Sequence, residues 1–170
     1  MDHVVNWNTY FSYDDGIIRW KERPLVHFCN DRYWRTWNTK HAGKPTGADI
    51  GGYLITSVAR RRTLVHRIIW EMHNGPIPIG MVIDHINGDG IDNRLDNLRI
   101  CTPTQNRRNR RMNTNNKLQF KGVTRNKARF KANIDHDGVR YHLGTFDTPE
   151  IAHAAYCDAA NRLHKEFAHP

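Results

Sequence analysis

The chain of 170 residues has only three cysteines, Cys29, Cys101 and Cys157, and no two of them form a C-x-x-C pair. That scatter excludes a disulfide framework and argues against a structural zinc site. No run of eighteen apolar residues occurs, so nothing in the sequence is expected to span a bilayer. The opening stretch, MDHVVNWNTYFSYDD, lacks the basic-then-apolar order of a secretory signal, and a cytoplasmic location is expected. No dimerisation heptad is evident, which favours a monomer. Apolar residues make up 38% of the chain, which suits two modest cores better than one large one. Acidic residues are scarce as well: 17 Asp and Glu stand against 26 Lys and Arg, giving a net charge of +9. That balance favours a polyanionic partner, nucleic acid before membrane.

What is present concentrates between Met81 and Arg111, MVIDHINGDGIDNRLDNLRICTPTQNRRNRR. The apolar run Met81-Val82-Ile83 stops at Asp84-His85. A turn-rich segment follows, then Leu95 to Ile100, then Thr102-Pro103 and a polar helix start at Thr104-Gln105-Asn106. The order is strand, turn, strand, helix, the layout of a ββα-metal nuclease site. Phosphodiester hydrolysis needs an activated water, a cation at the phosphate and a stabilised leaving oxygen. His85 ends a strand and can take a proton from water near neutral pH. Asp84 points to the other side of an extended backbone and can hold a hard cation there. Asn97 lies twelve residues beyond His85; its amide oxygen can accept from the imidazole and fix the tautomer. Asn106 brings a second oxygen ligand. Asp, Asn and water suit Mg²⁺ (or Mn²⁺ in its place). Asn93 reads as an Asx turn that holds the loop.

This stretch resembles the HNH nuclease family, in the variant whose last histidine is replaced by asparagine, which phage and intron homing endonucleases carry. Val65-His66-Arg67, Trp70, Gly75-Pro76, Asp84-His85, Asn93, Asn97-Leu98-Arg99 and Gln105-Asn106 carry the resemblance, across about residues 52–109. It implies His85 as general base, Asp84 and Asn106 as metal ligands, and Asn97 as the residue orienting His85. It also implies double-stranded DNA as the partner and a phage or bacterial host cell as the setting.

Before this region, Thr9–Tyr13 and Gly16–Trp20 read as two strands of a hairpin around Asp14-Asp15-Gly16. Tyr33, Trp34 and Trp37 interleave with Arg32, Arg35 and Lys40, a mixture that suits either base stacking or a cap on a small core. Residues 53–58 read as a strand, Ala59-Arg60-Arg61-Arg62 as a basic turn, 63–65 as a returning strand and 66–73 as a helix stopped by Asn74-Gly75-Pro76. The three arginines are either a solvated turn or a phosphate contact. His66 and His73 lie two turns apart, too far to share a metal. His66 is expected to pack and hydrogen-bond behind the site.

Residues 99–131 contain eleven Lys or Arg and no Asp or Glu. A helix carrying Asn106 and continuing through Arg107, Arg108, Arg110 and Arg111 sets cations against the cleaved phosphates. Residues 112–117 read as a polar linker. Beyond it, Phe120–Thr124, Arg129–Asp135 and Val139–Phe146 read as three strands, with an Asp137-Gly138 turn. A helix follows from Thr148-Pro149 to about Lys165, with Ala152, Ala155, Tyr156, Ala159 and Leu163 on one face.

This second unit resembles the plant ethylene-response-factor (AP-two) DNA-binding domain over about residues 118–167. Phe120-Lys121-Gly122-Val123, His142-Leu143-Gly144-Thr145-Phe146 and Ala154-Ala155-Tyr156 carry the resemblance. It implies a sheet laid in the major groove. Candidate contacts are Lys121, Arg125, Arg129, Lys131, Arg140 and His142. Thr124, Asn133 and His142 depart from the plant pattern, so no target sequence carries over.

The expected fold class is therefore α+β: a ββα-metal nuclease domain over residues 1–111, whose first 50 residues form a β-rich extension, and a small three-stranded antiparallel sheet packed on one helix over 118–170. The expected activity is a metal-dependent DNA endonuclease of homing type. Two alternatives are a non-catalytic DNA-binding regulator on the same scaffold and an RNA-processing nuclease.

Overall fold

A computed structural model describes residues 5–58, 61–109, 116 and 118–168, with the backbone alone at Glu166. Arg60, Arg110, Arg111 and the linker residues 112–115 and 117 lie outside the described residues. The chain folds as two compact units, residues 1–100 and 101–170.

The first unit opens with a hairpin, β1 (Phe11–Asp14) against β2 (Ile17–Trp20). Asp15 and Gly16 turn it with positive φ, 40° and 88°. A Cβ at Gly16 would lie 2.9 Å from the Arg94 nitrogen, so only glycine allows this approach. The extension is not all strand, because helix α1 (Asp31–His41) follows. The Asn30 side chain caps it, accepting from the Tyr33 N–H at 3.0 Å. None of its residues is buried. Its tryptophans are nonetheless occupied within the chain. Trp34 Nε1 donates to the Arg23 carbonyl at 2.7 Å, and Trp37 stands T-shaped against Trp20. The Arg23 guanidinium lies 5.0 Å from both the Phe28 and Trp37 ring centres.

Strands β3 (Ala48–Asp49), β4 (Leu54–Val58) and β5 (Arg61–Leu64) form an antiparallel sheet. Arg61 and Arg62 thus belong to a strand, paired with Val58 and Ser57, rather than to the turn itself. Helix α2 (Val65–Asn74) buries Val65, His66, Ile68 and Ile69, the helical spacing of one apolar face. Gly75, at φ 81°, ends it. Strands β6 (Val82–His85) and β7 (Leu98–Cys101) form a two-stranded sheet, and the division between the units falls inside β7. One core joins Trp7, Phe11 and Ile18 of the N-terminal segment to Val58, Val65, Ile68, Ile69, Ile83 and Leu98. The N-terminal hairpin is therefore part of the core that carries β6.

The second unit begins with α3 (Pro103–Arg108). A reciprocal capping box starts it: Thr102 Oγ1 accepts from the Gln105 N–H, and Gln105 Oε1 accepts from the Thr102 N–H. Strands β8 (Val123–Asn126), β9 (Arg129–His136) and β10 (Val139–Phe146) form an antiparallel sheet with β9 central. Asp137 and Gly138 make the expected turn at φ 50° and 80°. Helix α4 (Pro149–His164) packs Ala152, Tyr156, Ala159 and Ala160 on Val123, Ala132 and Ile134. Gly122 has no room for a side chain: a Cβ there would meet the Tyr156 ring at 2.0 Å.

Candidate active site

Strand β6 ends in two buried polar residues, Asp84 and His85, each 4% exposed. Burying an imidazole and a carboxylate side by side is costly unless each has a partner. Both have one. Arg99, on β7, donates from Nε to Asp84 Oδ2 at 2.8 Å, and its Nη2 lies at the same distance. His85 Nε2 lies 3.0 Å from Asn93 Oδ1. The Asn93 Nδ2 donates to the Ile91 carbonyl at 3.1 Å, which turns Oδ1 towards the ring. An amide oxygen only accepts, so Nε2 carries the imidazole proton and Nδ1 is the basic nitrogen.

The orienting contact expected of Asn97 is thus made by Asn93. Asn97 works on the loop instead. Its Oδ1 accepts from the Asn87 N–H at 3.0 Å, and its Nδ2 donates to Asn87 Oδ1 and to the Asp92 carbonyl. Successive Asx turns at Asn87 and Asp89 fold residues 86–94 back over β6, carrying Asn93 to His85. Arg94 binds Asp92 through Nε and Nη2, both at 2.9 Å, and holds that carboxyl down to about 2.

Two aromatic neighbours stand beside His85. The His66 ring meets it edge to face, with centres 5.0 Å apart. Tyr53 stands 5.9 Å from His85 and 5.8 Å from His66, and is 45% exposed. A Cβ at Gly90 would strike the Tyr53 ring at 2.7 Å, so the loop lies flat on that tyrosine. Burial, then the neighbouring His85 and Arg67, push the His66 pKa down to about 3, so His66 is neutral. His66 packs against His85 as expected, but no described residue hydrogen-bonds its Nδ1, so the expected hydrogen bond is not made there.

The remaining metal candidate, Asn106, lies half-buried on α3 in the second unit. Its N–H donates to the Thr102 carbonyl at 3.0 Å, a bond of the helix's own ladder. Among the described residues no three His, Cys, Asp or Glu side chains come together as a metal site. The candidate donors are hard oxygens, a carboxylate and an amide. A carboxylate can accept an arginine on one oxygen and still face a cation. That set fits Mg²⁺, which keeps most of its waters, and does not fit zinc.

The HNH endonuclease family model matches residues 63–108, a span that holds α2, β6, the Asx-rich loop, β7 and α3. Protein 3.8 of Escherichia phage T7 is 33% identical over 105 residues, which cover 61% of this chain and 86% of that protein. Residues 63–108 of this chain are thus an HNH endonuclease domain. An uncharacterized HNH endonuclease of Acanthamoeba polyphaga mimivirus is 29% identical over 136 residues, 79% of this chain and 65% of the viral protein. An SPbeta prophage-derived protein of Bacillus subtilis (strain 168), named as a putative HNH homing endonuclease, is 36% identical over 62 residues, 36% of each chain. No solved structure gives a significant match. The protein is accordingly a nuclease, and among the described residues no helix is long and apolar enough to cross a membrane.

The cations of this HNH endonuclease's second unit fall into distinct groups. Alternation along β9 sets Arg129, Lys131, Asn133 and Asp135 opposite the α4-facing Ala132 and Ile134. Cross-strand pairing adds Arg140 and His142 to that outer face. Arg140 is held by Asp135 at 2.7 and 2.9 Å, Arg129 by Asp147 at 2.8 Å, and His142 Nδ1 lies 3.2 Å from Asn133 Oδ1. Arg125 is not among them. It pairs with Phe130, which places it on the α4 side of the sheet. Lys121 precedes β8 and is half-buried, its Nζ donating to the Arg108 carbonyl; burial lowers its pKa. Arg108 is ion-paired with Asp137, while Arg107 is exposed.

Proposed function

We propose that this HNH endonuclease is a homing-type enzyme that hydrolyses double-stranded DNA, with its C-terminal sheet reading the duplex. The observation that carries the nuclease chemistry is the buried Asp84-His85 pair, with the imidazole tautomer set by Asn93. His85 Nδ1 takes the proton of a water aligned with the scissile P–O bond. Asn93 accepts from Nε2–H and stabilises the imidazolium as it forms. Arg99 holds Asp84 in place. Asp84 and Asn106 are the residues that would hold Mg²⁺ (or Mn²⁺), which when bound supplies positive charge at the phosphate and the departing 3′ oxygen.

The homing character is supported by the name of the prophage-derived relative. The reading role of residues 118–170 rests on the outer face of the sheet and its AP-two resemblance. A cavity of about 820 Å³ in the second unit supports it, because Arg107, Arg108 and Lys121 line it together with Asn133 and Arg140. A three-stranded sheet of this kind can lie in a major groove. We place the enzyme as a monomer in the cytoplasm of a phage or bacterial host cell.

The product ends test this chemistry. Cleavage at the 3′ oxygen leaves 3′-hydroxyl ends that a DNA polymerase extends without prior treatment. Ends that require phosphatase treatment before extension contradict the proposed direction of hydrolysis.

A further inference from the structure

Among the described residues, four cations and two carboxylates line the cavity of about 820 Å³ in the second unit: Arg107, Arg108, Lys121 and Arg140 with Asp135 and Asp137. Both carboxylates are engaged by arginines of the same wall. Arg140 grips Asp135 with two parallel bonds, Nε to Oδ1 at 2.7 Å and Nη2 to Oδ2 at 2.9 Å. A phosphate accepts the same fork from arginine. Arg108 Nη2 donates to Asp137 Oδ1, and Asp137 Oδ2 also lies 3.2 Å from His136 Nε2. Arg108 belongs to the stretch 99–131, which has no acidic residue of its own; Asp137 reaches it from the turn between β9 and β10. The fold gains little from either pair. The Asp135 and Asp137 side chains are 62% and 72% exposed, and exposed ion pairs contribute little stability. Asp137 sits in a left-handed turn at φ 50°, which asparagine serves as well without the charge.

We propose that this cavity receives a stretch of DNA backbone, and that Asp135 and Asp137 stand in for its phosphates in the free protein. The inference rests on the reading of the second unit as a binder of duplex DNA. The volume lies within the range of sites that take drug-sized ligands, enough for a nucleotide unit of one strand. On binding, Arg108 and Arg140 exchange carboxylate oxygens for phosphate oxygens, while Arg107 and Lys121 add to the positive charge of the cavity. The displaced carboxylates restrain the affinity for any duplex, so removing either one tightens binding.

The test follows binding of a fluorescently labelled duplex of arbitrary sequence by anisotropy, with the full chain, without Mg²⁺ and across a series of salt concentrations. The variants are Asp135→Asn and Asp137→Asn. Asp158→Asn, exposed on α4 and outside the cavity, controls for the loss of charge alone. An Asn-Gly turn keeps the hairpin, so Asp137→Asn melts as wild type does. We expect each cavity variant to bind about two- to fivefold tighter than wild type and to steepen the salt slope by about one, with Asp158→Asn binding as wild type does. In an Arg108→Gln chain the gain from Asp137→Asn disappears, because the group it releases is gone. If the cavity variants bind no tighter than Asp158→Asn, or if Asp137→Asn gains as much without Arg108, the inference is wrong while the duplex-binding reading stands. Absence of duplex binding by wild type and variants alike overturns that reading and this inference with it.

Discussion

Asn93 Oδ1 lies 3.0 Å from His85 Nε2, and both residues are buried. The contact fixes which imidazole nitrogen is basic. Replacing Asn93 with alanine removes the acceptor and frees the ring to turn or change tautomer. We expect kcat to fall about ten- to a hundredfold with little change in DNA binding. Asn97→Ala acts differently. It deletes three hydrogen bonds of the loop, so its main effect is on stability, a loss of about 1–3 kcal/mol in urea unfolding. Finding the two phenotypes exchanged returns the orienting role to Asn97.

Arg99 and Asp84 form a buried pair, with side chains 16% and 5% exposed. Removing the guanidinium takes the ion-pair partner from a buried carboxylate. Arg99→Met should destabilise the fold by about 3–5 kcal/mol, measured by chemical denaturation. A loss below about 1 kcal/mol shows that Asp84 is adequately held by other partners.

Stability should also depend on His66 ionisation. Its folded pKa, about 3, lies below the ordinary 6.5. Between these values the unfolded chain binds a proton that the folded chain refuses. The contribution is therefore complete above about pH 6.5, is lost as pH falls towards 3, and has a limiting slope of about 1.4 kcal/mol per pH unit. His66→Phe should flatten the stability curve in this window. An unchanged curve shows that His66 titrates alike in both states.

On the sheet, Lys131 stands on the outer face opposite Thr124 and Thr145. As a phosphate contact it contributes affinity without sequence preference. Lys131→Ala should weaken duplex binding uniformly and lower the salt slope by about one. Arg125→Ala, on the α4 side of the sheet, should leave that slope unchanged. The reverse result places the DNA on the other face.

Much of this was legible from residue order alone. The Asp15-Gly16 and Asp137-Gly138 turns, the Thr148-Pro149 helix start and the apolar spacing of α4 each depend on neighbouring residues, and each occurs as expected. The partner of His85 was not legible. Asn93 and Asn97 are both amides at plausible distances along the chain, and only the folding of the loop through Asn87 and Asp89 decides which one reaches the ring. Arg99 reads as one more member of a cationic run until β7 pairs with β6 and sets it against Asp84. Tyr53 comes to His85 from far upstream in the chain, with no local signal beyond the preceding glycines. Helix α1 was hidden because its aromatics follow no apolar period and none of its residues is buried. The face occupied by Arg125 depends on strand register, which composition does not contain.

The central claim is that His85 is the base of a metal-dependent nuclease. The direct measurement is nicking of supercoiled plasmid with and without Mg²⁺, by wild type and His85→Ala, with duplex binding followed in parallel. The account predicts cleavage by wild type only with the metal, none by His85→Ala, and equal DNA binding by the two. Cleavage by His85→Ala at the wild-type rate would contradict it.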